Sequence, residues 1–542
     1  MIAVRYHDST KHHFNRFAPS LGYLDWATQP DPFRRYEGAP LRALSREPLA
    51  RDVHYASLFT GDVPAQPITD HSIGEFLRCS MGLSAWKQYG QSRWALRVNP
   101  SSGNLHPTEA WIVHDGRVWH YAPHEHLLEQ RCAVASRTQR VRAAEDQSPD
   151  HFLVALTSII WREAWKYGER AFRYCQHDTG HAIGALRLAA AMLGWQLRLL
   201  PEWSDAQIAA LLGLDRDADY KDAEHEEPEC LALVRRVAPS GVEGVPGSGI
   251  RDPKVLVDAA RGGSWSGRAN RLSADHVEWP IIDEVAAATR YPGRTKEPRT
   301  SEPRTSEPRT SEPRTSEPRT SESRAIILQR RSALGFDARG VLVRDAFFSM
   351  LDRLQPGAPP WDAIDWPPHV HLVLFVHRVQ DVTPGIYACL RDPGVLEEWK
   401  AAMRPEFLWE PTPARAPEPA NLFLLVPIDA GRMANRLSCD QDIAEDGFFA
   451  LAMMARFERP LRELGEWFYR RLFWECGLIG QVLYLEAEAA GGRATGIGCY
   501  YDDPVHDLLG LSGHAWQSLY HFSMGRPVED TRLTSEPGYE WG

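Results

Sequence analysis

Two short polar clusters, far apart in the chain, have the chemistry to hold the two ends of one ligand. Ser101-Ser102-Gly103-Asn104, led in by Pro100, offers hydroxyls, a carboxamide and a backbone without a Cβ, which suit a flat polar heterocycle approaching closely. Arg330-Arg331-Ser332 offers guanidinium forks and a hydroxyl, which suit a phosphate. A ligand with a ring at one end and a phosphate at the other would bridge them, and flavin mononucleotide (FMN) is the natural candidate. On composition alone the first cluster also reads as an ordinary turn and the second as the start of a surface helix. Its position just before the apolar run Glu109 to Val113 favours a ligand loop for the first.

Other residues with reactive side chains point less far. Trp161, Arg162, Trp165, Lys166, Tyr167, Arg170, Arg173 and Tyr174 have the spacing of an amphipathic helix with a solvated basic face. His177 and His181 stand at i, i+4, a spacing that can clamp zinc, but no Glu lies between them in an H-E-x-x-H arrangement and no third ligand is evident, so no metal is expected. Eight cysteines are scattered without a C-x-x-C pair, which predicts reduced, mostly buried thiols. No G-x-G-x-x-G follows a strand and no G-x-x-x-x-G-K-[ST] is present, so a dedicated nicotinamide-binding domain is not expected.

The elements that must position these groups follow from a duplication. At 542 residues the chain is too long for one core, and its 43% hydrophobic content supplies material for two or three. An RTSEP-type pentapeptide repeat from Arg294 to Ser323, nearly free of apolar residues, predicts an extended, mobile linker. Across it the chain matches itself at a constant offset of 297 positions: Arg173 meets Arg470, Asp178 meets Glu475, Gly180 meets Gly477 and Gly194 meets Gly491. Ala182 to Trp195 and Leu478 to Ala490 are apolar almost all round and read as buried helices that cover each other. Phe152 to Leu156, Leu422 to Val426, Ala110 to Val113 and His371 to Phe375 read as buried strands. The expected class is α+β, with two halves packed as an internal pseudo-dimer. The halves have diverged in complementary ways: Gly496-Ile497-Gly498 stands opposite Leu199-Leu200-Pro201, so only the second half keeps a backbone bare enough to lie against a ligand, while Lys166-Tyr167 stands opposite Glu463-Leu464.

At these residues the chain resembles the flavin-dependent nitroreductase superfamily, and more closely its SagB/ThcOx-type dehydrogenase branch, in a tandem form. The resemblance rests on Arg97 to Pro107, on Lys166 to Arg170 continuing to Tyr174 and Gly180-His181, on Arg330-Arg331-Ser332 and on Gly496 to Asp502, and covers roughly residues 75 to 240 and 325 to 532. It implies two tandem nitroreductase-like domains, at 75–245 and 325–542, with an N-terminal strap at 1–74 and a connecting segment at 246–324. It further implies one composite FMN site: Arg330, Arg331 and Ser332 on the phosphate, Gly496, Ile497 and Gly498 along the ring, and Ser101, Ser102 and Asn104 reaching in from the first domain. Lys166 and Tyr167 match the catalytic pair of that branch, and a phenol beside an ammonium is expected to ionise more readily than usual and so serve as a base. The implied activity is hydride transfer between flavin and a small molecule or a modified peptide. Alternatives are an NAD(P)H-dependent nitro or quinone reductase, and a flavin-free pseudoenzyme that binds a peptide or partner. A net charge of -11, no long basic block and no apolar run of membrane-spanning length predict a cytoplasmic protein without nucleic-acid or membrane partners, and a fused dimer predicts a monomer.

Overall fold

The computed structural model describes residues 1–49, 52–134, 150–236, 252–294, 322–412 and 421–540. The body of the RTSEP repeat lies outside the described residues. Strands and helices mix throughout, as expected for an α+β chain. The first half forms a sheet from Thr108–His114, Arg117–Ala122, Leu127–Ala133, His151–Ser158, Trp195–Leu199 and Glu227–Arg236, ordered third, second, first, fourth, sixth, fifth. The second half repeats that order with Val370–Val376, Gly385–Cys389, Leu422–Val426, Phe449–Arg456, Arg493–Ile497 and Trp516–Gly525. All of these pairings are antiparallel. The four predicted strands form. Phe152–Leu156 has its counterpart at the offset in Phe449–Arg456, a strand the sequence did not single out.

One 22-residue helix crosses each half, Ala171–Met192 and Phe468–Ala489. Both begin about ten residues earlier than the apolar run suggests, because Arg173, Gln176 and Asp178, and likewise Arg470 and Glu475, are polar residues buried against partners. Each helix stops the same way. Gly194 and Gly491, at φ 68° and 74°, reverse the chain into Trp195–Leu199 and Arg493–Ile497, a left-handed turn that glycine adopts without strain.

The two helices pack face to face through glycine. A Cβ on Gly180 would strike the backbone of Trp474, and one on Gly477 would strike the backbone of His177. Since 177 and 474, like 180 and 477, are related by the offset, the contact is isologous. The ion pairs obey the same rule: Arg173 Nη1 lies 2.7 Å from Asp502, and Arg470 Nη1 lies 2.6 Å from Asp205. The solvated basic face expected at residues 161–175 is therefore absent. Arg162, Arg170 and Arg173 are buried, because Glu109 and Asp502 neutralise them.

The chain's ends cross between halves. The helix Ile2–Ser9 lies against the second half, with Ala3 N–H bonded to Glu466 (2.6 Å) and His7 to Gln517 (3.1 Å). Thr534–Pro537 adds a third strand to the hairpin Leu83–Tyr89 and Ser92–Arg97. Among the described residues no helix is long and apolar enough to cross a membrane.

Candidate functional site

The hairpin strand Ser92–Arg97 runs into the Ser101–Asn104 loop, whose shape depends on positive φ at Gly103 (59°) and Asn104 (61°). The loop is tied down by its own polar groups. Asn104 Nδ2 donates to the Ala95 carbonyl (2.9 Å), Ser101 Oγ accepts from the His106 N–H (2.8 Å), and the Ser102 N–H donates to the Asp178 carboxylate (3.2 Å).

Arg330 comes to this loop from the other half. The helix Ser323–Gln329 ends at Arg330, whose Nε donates to the Val98 carbonyl and whose Nη2 donates to the Arg97 carbonyl, both at 3.1 Å. Arg330 thus reaches across 232 positions to Val98, just before the chain enters the Pro100-Ser101 loop. Tyr484 closes the circuit within the second half: its ring lies 4.9 Å from the Arg330 guanidinium, its hydroxyl lies 2.9 Å from Ser332 Oγ, and it accepts the Gly496 N–H at 2.9 Å. Arg331 donates to the carbonyls of Ser84 (2.9 Å) and Leu328 (2.8 Å), and its N–H bonds to Glu488 (3.1 Å).

These donors fit an anion. Arg330 Nη1 is buried without a hydrogen-bond partner. Burial holds the Arg330 guanidinium below its ordinary range, and burial together with the charge of Arg330 brings Arg331 down to about 10. A phosphate here would fill the vacant donor and relieve both shifts.

The ring end differs from expectation in one respect. Gly496 and Gly498 were expected to present bare backbone to a ligand. Instead a Cβ at 496 would collide with the Tyr520 hydroxyl, and one at 498 with the Tyr174 ring. The missing side chains admit two tyrosines, so the segment carries an aromatic wall. Ile497 is buried in the core of the second half.

Lys166 and Tyr167 end the helix Ile160–Tyr167, which Gly168 terminates at φ 54°. Both reach the loop: a Cβ on Gly103 would lie 2.6 Å from the Tyr167 hydroxyl and 3.1 Å from Lys166 Nζ. Tyr167 packs edge-on against Tyr174 at 4.6 Å, and Tyr174 donates to the Gly498 carbonyl at 3.1 Å. The expected ease of ionisation is reversed. Burial, then the charge of Glu163, pushes the Tyr167 phenol well above its usual value. Lys166 Nζ sits 5.2 Å from the Tyr167 ring centroid, where it does not offset them.

Two carboxyls the sequence did not assign are poised near neutrality, Asp178 at the loop and Glu488 beside Arg331, both raised by burial to about 7. Burial raises Asp178 to about 7, although hydrogen bonds from Ser101 and Ser102 oppose the shift. Glu163, bonded to Ser101 Oγ at 3.4 Å, is raised by burial and then by the charge of Asp178. The sequence signal for Asp178 was a carboxylate kept in both copies of the repeat, opposite Glu475. His177 and His181 serve packing: each is buried, and their Nε2 atoms bond to the Leu519 carbonyl (3.0 Å) and the Tyr520 hydroxyl (3.3 Å).

Comparison with known proteins narrows the reading. Residues 65–222 match the model of the Nitroreductase family. The matched segment contains the Ser101–Asn104 loop, Lys166, Tyr167 and Asp178. Among solved structures, a candidate nitroreductase from Anabaena variabilis aligns over 97% of this chain and 99% of its own, with a TM-score of 0.64 and 19% identity. The likeness shows a nitroreductase-like fold. A second candidate nitroreductase, from Ralstonia eutropha, covers 41% of this chain and 97% of its own at 15% identity and a TM-score of 0.28. No curated protein matches the chain.

Proposed function

We propose that the chain is an FMN-dependent oxidoreductase, a fused pair of nitroreductase-like domains with one composite site, most like the SagB-type dehydrogenases. Arg330 carries the reading, because it grips the backbone leading into the first half's loop while keeping a buried N–H vacant for an anion. Arg330, Arg331 and Ser332 would hold the phosphate. Ser101, Ser102, Asn104 and the Gly496–Gly498 segment would line the ring.

FMN, when bound, supplies a two-electron acceptor for hydride. The chain's own residues manage the proton. Tyr167, held protonated, donates a hydrogen bond toward the substrate, with Lys166 beside it. Asp178, fixed by Ser102 and titrating near neutrality, takes up or releases the proton. A small molecule or modified peptide is the proposed substrate, and the proposed form is a cytoplasmic monomer, since the reciprocal helix contact already lies within one chain.

An absorption spectrum of the purified protein with the flavin-to-chain ratio tests this. One FMN per chain is expected. Colourless protein that fails to take up added FMN would sink the reading in favour of a flavin-free scaffold. Rapid NADPH oxidation with nitro or quinone acceptors would replace the dehydrogenase by a reductase.

A further inference from the structure

Six of the eight cysteines are buried, but Cys439 and Cys499 are half-buried, and they meet. Their sulfurs lie 2.9 Å apart, and His12 Nδ1 lies 3.7 Å from Cys499 Sγ. Three separate parts of the chain build this cluster. Cys499 follows Gly498 beyond the strand Arg493–Ile497, and Cys439 follows the helix Gly431–Leu437 with an unusual positive φ of 56°. The N–H of His12 is anchored to Asp502 at 2.8 Å. Gln441 staples the two cysteine segments by donating to the carbonyls of Ser438 (2.7 Å) and Cys499 (3.0 Å). Arg170 stands alongside, bonded to Asp502 (2.9 Å) and to the Gly498 carbonyl (3.2 Å).

We propose that Cys439 and Cys499 form a reversible thiol–disulfide exchange pair whose substrate is a low-molecular-weight disulfide, with Cys499 attacking and Cys439 resolving. Partial exposure, a neighbouring imidazole and guanidinium, and a second thiol in contact are the features that make a cysteine reactive and its oxidation reversible. The neighbours divide the roles: the hydrogen-bonding contact with Cys439, aided by His12, brings the Cys499 thiol down to about 5 against the effect of burial, while the same contact raises Cys439. Burial lowers the His12 imidazole below its ordinary range, and its Nδ1 faces Cys499 Sγ. The same three side chains have ligand atoms close enough for a metal ion. However, two thiolates on one tetrahedral zinc stand roughly 3.7 Å apart and structural sites use four ligands; these sulfurs are closer than that, and among the described residues three ligands converge.

In the first step the Cys499 thiolate attacks one sulfur of RS–SR, forming Cys499–S–S–R and expelling RS⁻. Cys439 then gives its proton to solvent or to the released thiolate and attacks Cys499 Sγ, expelling the second RS⁻. The pair loses two electrons to the oxidant, which leaves as two thiols.

The test incubates the full chain with oxidised glutathione, alkylates the remaining thiols and maps the peptides. The expected product links Cys439 to Cys499 and leaves the six buried thiols unmodified. Cys439→Ser should halt at a glutathione adduct on Cys499, and Cys499→Ser should leave Cys439 without an adduct. Recovery of both cysteines fully alkylated after oxidation, in wild-type protein, would overturn the proposal. So would one equivalent of co-purifying zinc that shields both thiols until it is chelated.

Discussion

Asp178 and Glu475 occupy equivalent places on the two long helices, and each accepts backbone N–H from the stretch of chain that leads into the first strand of its sheet. Ser102 donates to Asp178, while His369 and Val370 donate to Glu475 at 3.1 Å. The difference lies in the counter-charge. Glu475 also receives the Arg391 guanidinium, wholly buried. No cation pairs with Asp178 among the described residues. Around them the contrast widens: Asp178 looks onto tyrosines and a turn with left-handed residues, whereas at the opposite end Trp467, Trp474 and Tyr291 line a pocket together with Leu199, Leu200 and Pro201. A buried carboxylate with its own arginine is a structural joint. One without a cation titrates near neutrality, which is what proton transfer requires.

Breaking that contrast should give its largest effect at the structural joint. Arg391→Leu strands Glu475 as an unpaired buried charge and should cost about 3–5 kcal/mol, read as a lowered urea midpoint. Asp178→Asn removes a carboxylate that has no cation and should leave stability unchanged or raised at pH 8. A loss comparable to that of Arg391→Leu would erase the distinction.

The pH dependence sharpens it. Because the folded state holds Asp178 at about 7, against an ordinary 3.8, it binds the proton more tightly than the unfolded chain. The stability this group contributes is intact in acid and falls as pH rises from about 4 to about 7. Urea titrations of wild type and Asp178→Asn across that window should diverge by on the order of 2–4 kcal/mol in favour of the variant at the alkaline end. Parallel curves would mean that Asp178 ionises normally.

Ligand binding should separate the two ends as well. Arg330→Ala should weaken FMN retention by about 1.5–3 kcal/mol, the worth of a charge-assisted hydrogen bond, measured by equilibrium dialysis. Arg471→Ala, at the position equivalent to Tyr174, should leave it unchanged; equal losses would put flavin at both ends. The smallest effect is expected for Tyr174→Phe, which removes one hydrogen bond to the Gly498 carbonyl and should cost about 1 kcal/mol of stability.

Much of the frame was legible in the chain. The offset from Arg173 to Arg470 and from Gly180 to Gly477 identified the two helices, and glycine at both contact positions explains why they touch through backbone. Gly194 reads as part of the first helix, yet that helix stops at Met192 and Trp195 opens a strand. The helix starts were less legible, because Arg173 and Arg470 look solvated until their partners, Asp502 and Asp205, are known to be hundreds of positions away. The bare backbone at Gly496 and Gly498 was legible too, but not that tyrosines fill it.

By itself the sequence determined the internal repeat, the apolar cores of its two long helices, four of its strands and the two polar clusters, because periodicity and turn chemistry are local properties. Only the tertiary structure decided which arginine has a vacant N–H, which carboxyls titrate near neutrality and which two of eight thiols meet. Those depend on burial, counter-charge and contact between residues far apart in sequence, which only folding sets.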